Sequence, residues 1–296
     1  MVRASGGLMR RLWLPWSSAS PQSLEVATKV WPHTGNQQRQ LLLLFVAYHP
    51  SRQEVERLQA CLAGLEPGLG YAVVVNDHRP GEAVEKLAAQ ADLFVTNRDN
   101  PGYGRAVNRL VLHLGKLPPF LGVLNTDLSW LPGSFEKTLD WLEKHPEVCL
   151  AVPQILDEAG SIQKLCKRNP TLLALLSRRF LPEWVKPTWL KRYDRWYVMA
   201  DQSYQAIFEV AYLSGCCMLL RSDAFQKIGG FDERYFLYLE DADLTRAMGL
   251  QGQCVHLPVS AVVHSWGRGN YRNLGLMLVN LASAWHYFCK WGWKLW

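Results

Sequence analysis

The apolar positions in the first half of the chain fall into short unbroken runs separated by amphipathic stretches. Leu41 to Tyr48 is such a run, of strand length, the pattern of a strand covered on both faces. Ser51 and Glu54 stand at the spacing of a capping box, which predicts a helix reaching about Leu62. Tyr71–Asn76, Asp92–Thr96 and Phe120–Asn125 read as further strands. Glu82–Gln90 and Gly104–Leu114 read as helices between them, and Pro132 opens another that runs to about His145. Strands alternating with helices predict an α/β fold, a doubly wound, mostly parallel sheet flanked by helices.

The pattern loosens beyond Gln154. Asp157–Gly160 reads as a turn between two short strands, and Ala206–Leu213 as a strand. Ser222–Ile228 and Asp241–Gln251 read as helices, and Cys254–Val263 as one or two strands around Pro258. Leu274, Met277, Leu278, Leu281, Trp285 and Phe288 recur at helical spacing, so 273–296 is expected to form a C-terminal amphipathic helix. Trp291, Trp293 and Trp296 follow, interleaved with Lys290 and Lys294. That arrangement suits a membrane interface, with Trp at headgroup depth and Lys toward lipid phosphate, and equally a helix packed on the domain. The domain itself is expected over 39–272, after a leader, 1–38, that is poorly ordered or loosely docked.

Charge changes the picture in one place. The net charge of +6 is uneven: residues 164–204 carry nine Lys/Arg against three acids, and this inserted basic segment is helical or irregular by its aromatics and prolines. Residues 1–40 hold five Lys/Arg against one acid, so the remainder is acidic. Such segments attract phosphate or lipid headgroups, or simply stay solvated; no nucleic-acid partner is expected. The seven cysteines include no C-x-x-C pair, which argues against a disulfide framework or zinc site and suits a reducing cytosol. No apolar run reaches the ~18 residues of a membrane span.

Ligands of parallel α/β sheets bind beyond the carboxyl ends of the strands. Ala47, Tyr48 and His49 follow the first strand, Asn76 and Asp77 the second, Asn97 to Gly104 the third, and Asn125, Thr126 and Asp127 the fourth. Each alone is an ordinary turn or helix cap; their recurrence at one rim points to a site. Asp127 suits a hard divalent cation, Mg2+ or Mn2+, that takes further oxygens from a diphosphate. Glu240, Asp241 and Asp243 are three acids in four residues, fit either for a helix start or for a general base toward a hydroxyl. His264 ends an apolar strand before Ser-Trp-Gly-Arg-Gly, a loop able to present N–H groups to phosphate.

The order VAYHPS, VVVND, NRDNPGYGRAVN, VLNTD, LSGCCMLLRSDAFQKIGGFDERYFLYLEDADL and HSWGRG resembles glycosyltransferase family 2, over about residues 41–272. LCKRNPTLLALLSRRF and YFCKWGW are similar to bacterial rhamnosyltransferases of O-antigen and cell-wall polysaccharide assembly. The resemblance implies a GT-A fold and an inverting, metal-dependent transfer, with dTDP-L-rhamnose as donor and a glycan or polyprenyl-diphosphate-linked sugar as acceptor. It places the protein in the cytoplasm, at the inner face of the membrane if 274–296 makes peripheral contact. By the same resemblance Asp241 is the base, with Glu240 adjacent; Asp127 and His264 hold the metal, with Asn125 nearby. Asn76 or Asp77 binds the nucleobase beside Ala47 and Tyr48; Asn100, Gly102, Gly104 and Asn108 shape the nucleotide side; Ser214 and Gly215 line the donor sugar pocket.

Two positions depart from the family pattern. Asn125 stands where the first acid of D-x-D is usual, and Asn76 where the base-binding Asp is usual. One carboxylate instead of two implies weaker metal binding, and favours the alternative of a glycan- or lipid-binding protein with a degenerate site. Retention of Asp127, Asp241 and His264 argues against that alternative. A nucleotidyltransferase would need a glycine-rich basic loop after the first strand, and VAYHPS offers none.

Overall fold

A computed structural model describes residues 28–31, 39–265 and 274–296. Strands β2 (Leu41–Ala47), β3 (Leu69–Val75), β4 (Leu93–Asn97) and β5 (Phe120–Asn125) run parallel in the order β4-β3-β2-β5. Their residues are almost all buried, as continuous apolar runs in a sheet covered on both faces should be. The chain moves outward from β2 to β4 and then returns to place β5 on the other side of β2. That reversal opens a crevice at the carboxyl ends of β2 and β5. Of the leader, Thr28–Trp31 forms β1, an antiparallel edge strand on β4.

Helix α1 (Arg52–Leu62) starts where the capping box places it: Ser51 accepts the Glu54 N–H at 3.2 Å. The box does not close, because the Glu54 carboxylate takes the Thr126 hydroxyl beside the crevice instead of returning to the cap. The expected helix at 82–90 is a 3-10 helix, Ala83–Ala89. Helices α2 (Tyr103–Leu114) and α3 (Ser134–Lys144) cover the sheet.

Beyond β6 (Leu128–Trp130) and β7 (Val148–Leu156) the sheet becomes mixed. The basic segment folds into α4 (Leu172–Phe180) and α5 (Thr188–Tyr197). The expected strand over 206–213 shrinks to β8 (Phe208–Glu209). Its remaining groups bond singly: the Val210 N–H to Cys254 O, and Tyr212 in a bridge to Lys167. The strand that joins the two halves is instead β9 (Cys217–Arg221), antiparallel between β5 and β7, with Leu124 opposite Cys217 and Phe120 opposite Arg221.

Helices α6 (Ser222–Lys227) and α7 (Glu240–Met248) follow, then β10 (Gln253–His264), one strand whose register slips between Leu257 and Ala261, around Pro258. Helix α8 (Leu274–Trp291) closes the fold. One face of α8 packs on the domain: Tyr287 and Phe288 are buried with Tyr235, Leu239 and Ala242. Lys290 Nζ donates to Asp243 at 2.8 Å and Asp232 at 3.0 Å, and Trp291 Nε1 donates to Asp243 at 2.7 Å. Its other face exposes Leu274, Leu278, Leu281 and Trp285.

Candidate active site

The carboxyl ends of β5 and β10, the loop before β9 and the start of α7 enclose a cleft of about 1120 Å³. Asn125, Asp127, Ser214, Gly215, Glu240, Asp241 and His264 all line it, although they lie far apart along the chain. Antiparallel pairing of β6 with β10 brings Leu128 opposite His264, which sets Asp127 beside the imidazole. His264 Nε2 lies 3.3 Å from Asp127 Oδ2. His264 Nδ1 faces Gln163 Oε1 at 3.3 Å, and Gln163 Nε2 donates to the His264 carbonyl at 3.0 Å, so the ring is held from behind. Asp127 Oδ1 and His264 Nε2 are buried without a hydrogen-bond partner. Buried polar atoms are rarely left so, and an oxygen and an imidazole nitrogen aimed into one cleft fit a divalent cation. A cation held by these two residues alone would keep most of its coordination sphere for a diphosphate and water. Among the described residues no group of three His, Cys, Asp or Glu is assembled, in keeping with asparagine at 125.

Opposite this pair, α7 begins with Glu240 and Asp241. Tyr238 and Leu239 before it both have positive φ, 70° and 63°. Non-glycine residues pay strain in that region, and two in succession place the acids at the cleft edge rather than further along a continuous turn. Asp241 Oδ2 accepts the Gly215 N–H at 3.0 Å, and its Oδ1 accepts the Ala242 N–H at 2.9 Å. A side chain at 215 would crowd Asp241, since a Cβ there falls 3.1 Å from the Asp241 Cβ. Burial, and then the Asp241 charge, push the Glu240 carboxyl up to about 8, and its Oε2 has no partner. Asp243 is not part of the site: it is buried under Lys290 and Trp291.

The residues expected to bind the nucleotide lie along the same rim and, apart from Asn125, Ser214 and Gly215, outside the cleft lining. Ala47 is buried, whereas Tyr48 is exposed and packs against His49. Asn76 is buried, accepting from Asn97 at 2.9 Å and donating to Asn100 at 3.4 Å, so its amide braces the rim. Asp77 is the accessible member of the pair; His49 bonds to it at 2.9 Å and holds its carboxyl below the usual range. Asn100 Oδ1 accepts the Gly102 N–H at 3.1 Å. Gly102, at φ 92°, leaves no room for a Cβ, which would overlap the Phe236 carbonyl oxygen, and a Cβ at Gly104 would fall 2.7 Å from the Phe231 Cβ. The buried Asn108 amide clasps the loop before α7, donating to Phe231 O at 2.8 Å and accepting from Phe231 N at 3.0 Å. Its influence on the site runs through that loop. The Ser-Trp-Gly-Arg-Gly loop after His264, apart from Ser265, lies outside the described residues.

Sequence reasoning missed Gln163 and Tyr103. Gln163 orients His264, and Tyr103 donates its hydroxyl to Gly215 O at 3.2 Å within the cleft. Gln163 stands in no motif, and Tyr103, although inside NRDNPGYGRAVN, carries nothing in that motif that marks a contact with Gly215; the fold brings both in.

The relatives decide what this cleft belongs to. An N-acetylglucosaminyl-diphospho-decaprenol L-rhamnosyltransferase of Mycobacterium tuberculosis, found in two strains, is 35% identical over 271 residues, 83% of this chain and 86% of the relative. The chain belongs to glycosyltransferase family 2. The protein is a glycosyltransferase. No family profile matches it. Its fold is similar to GalNAc-T7, solved with UDP, GalNAc and Mn2+, at TM-score 0.61 and 12% identity over 87% of this chain; the chain spans 49% of that protein. It is also similar to the mannosyltransferase PcManGT from Pyrobaculum calidifontis, in complex with GDP-Man and Mn2+, at TM-score 0.56 and 14% identity, covering 91% of this chain and 68% of that one. At these identities the likeness establishes the GT-A fold of the family 2 enzyme.

Proposed function

We propose that this glycosyltransferase is inverting and metal-dependent, moving L-rhamnose from dTDP-L-rhamnose onto a sugar carried by a polyprenyl diphosphate. The meeting of Asp127, His264 and Asp241 around one cleft carries the reading. The relative's name supports donor and acceptor, and the Mn2+ and nucleotide sugars bound by the fold neighbours support the metal. Asp77 faces the nucleobase, Ser214 and Gly215 the donor sugar, and Asp127 and His264 hold Mg2+ or Mn2+. When bound, the cation neutralises charge on the diphosphate. Asp241 accepts the proton of the acceptor hydroxyl. That oxygen bonds to the anomeric carbon as the carbon–oxygen bond to the diphosphate breaks, its electron pair leaving with the nucleotide. Glu240, protonated near neutral pH, adds no second negative charge beside the base.

No described helix is long and apolar enough to cross a membrane. The exposed face of α8, with Trp293 and Trp296 after it, suits peripheral contact at the inner face of the cytoplasmic membrane, where a polyprenyl-linked acceptor is held. Asn125 favours a rival, a binding protein with a degenerate site. The test is Asp241→Asn with metal and dTDP-L-rhamnose. A general base contributes roughly 10²–10⁴-fold, so transfer should fall by that factor while Mn2+-dependent thermal stabilisation by the donor persists. Turnover equal to wild type removes Asp241 as base; absence of donor stabilisation in the wild type upholds the rival.

A further inference from the structure

We propose that Lys164, Lys167 and Arg178 form a second diphosphate subsite in the cleft, separate from Asp127 and His264, which seats the acceptor's diphosphate. This rests on the reading that the acceptor is a polyprenyl-diphosphate sugar. All three line the cleft, and all three come from the basic segment. Two other cations of that segment are neutralised, Arg168 by Asp201 at 2.8 Å and Lys186 by Glu183 at 2.6 Å and Asp194 at 2.7 Å, while Lys191, Arg192 and Arg195 are exposed outside the cleft lining. Among the described residues no carboxylate lies within ion-pair distance of Lys164, Lys167 or Arg178, although the Asp241 charge acts on Lys167. Each lies over a buried tyrosine ring instead: Lys164 Nζ 5.8 Å from Tyr204, Lys167 Nζ 4.1 Å from Tyr212, and the Arg178 guanidinium 5.9 Å from Tyr197. An aromatic face positions a cation without cancelling its charge, so Lys164 and Arg178 direct theirs at the cleft; burial holds the Lys167 ammonium below its usual range, against the pull of the Asp241 carboxylate.

Location favours the acceptor over the donor as the source of the anion. Arg178 reaches the cleft from α4, and the same helix exposes Leu176 and Phe180, with Trp184 beyond it. The extended tail after α8 lies along the start of α4, where Leu172 and Leu173 N–H groups donate to Lys294 and Leu295 carbonyls at 2.9 Å. Apolar surface for a lipid chain and cations for its diphosphate therefore occur on one short element.

The probe is inorganic pyrophosphate, titrated calorimetrically in EDTA so that no metal holds it at Asp127 and His264. In parallel, dTDP is titrated with Mn2+. Lys164 and Arg178 are both exposed, so the double variant Lys164→Gln/Arg178→Gln should fold, and its melting curve checks this. We expect pyrophosphate to weaken by about tenfold or more, as for loss of a charge-assisted contact, with dTDP–Mn2+ affinity within twofold of wild type. The KM for a short-chain prenyl-diphosphate sugar should rise in step. Unchanged pyrophosphate affinity overturns the proposal, and so does an equal loss of dTDP affinity, which would give these cations to the donor. If pyrophosphate binding is lost in the variant while the wild type turns over no prenyl-diphosphate acceptor, the subsite stands and the acceptor assignment falls.

Discussion

Replacing Lys290 by Met tests the join between the C-terminal helix α8 and helix α7. Met keeps the stem's length and removes only the charge. Lys290 bridges Asp232 and Asp243, whose side chains are 15% and 3% exposed. Removing one partner of a buried pair costs about 3–5 kcal/mol, because the other charge is left without compensation. Asp243 would keep the Trp291 N–H at 2.7 Å and the Tyr235 hydroxyl at 3.3 Å, and Asp232 would keep Arg234, which sets the expected cost near the lower end, about 3 kcal/mol. At roughly 2 °C per kcal/mol for a chain of this size, the melting temperature should fall by about 6 °C. Burial already raises the Asp243 carboxyl against the pull of Lys290. Without Lys290 it rises further, and a raised acid gives up stability as pH increases, so the deficit against wild type should be larger at pH 8 than at pH 5. Urea unfolding at both pH values, for Lys290→Met, Asp243→Asn and the double variant, measures this. A coupling below about 0.5 kcal/mol, the range of independent sites, would refute the ion pair as the join.

Gly102→Ala should destabilise by about 1–3 kcal/mol and depress transfer, since a Cβ meets the Phe236 backbone at φ 92°; an unaltered melting curve would show that the loop yields. Glu240 carries a folded-state value near 8 against 4.5, so its stabilising proton is fully held below 4.5 and lost as pH rises through 8. Unliganded wild type should lose on the order of 2 kcal/mol between pH 6 and 8, and Glu240→Gln should flatten that slope in the same unfolding assay.

The parallel half was legible because each strand is a buried apolar run and each following helix announces itself; β5 occupies the expected Phe120–Asn125. β9 was not, because CMLLR lacks the β-branched residues that mark strands, while the alternating AIFEVAYL next to it imitates one. Asp127, Asp241 and His264 were legible as chemistry-bearing residues at element ends. Their partners were not. Gln163 behind His264, and the tyrosines beneath Lys164, Lys167 and Arg178, acquire their roles only from long-range packing.

The insertion of β9 between β5 and β7 bears on how the chain is made. The β2–β5 half can assemble as soon as residue 125 leaves the ribosome, but its edge at β5 is completed only by a strand about a hundred residues later. At roughly 5–20 residues per second of synthesis, that apolar edge stays open for about 5–20 s. Chaperone dependence during translation, and aggregation of fragments truncated before residue 217, should therefore concentrate on β5.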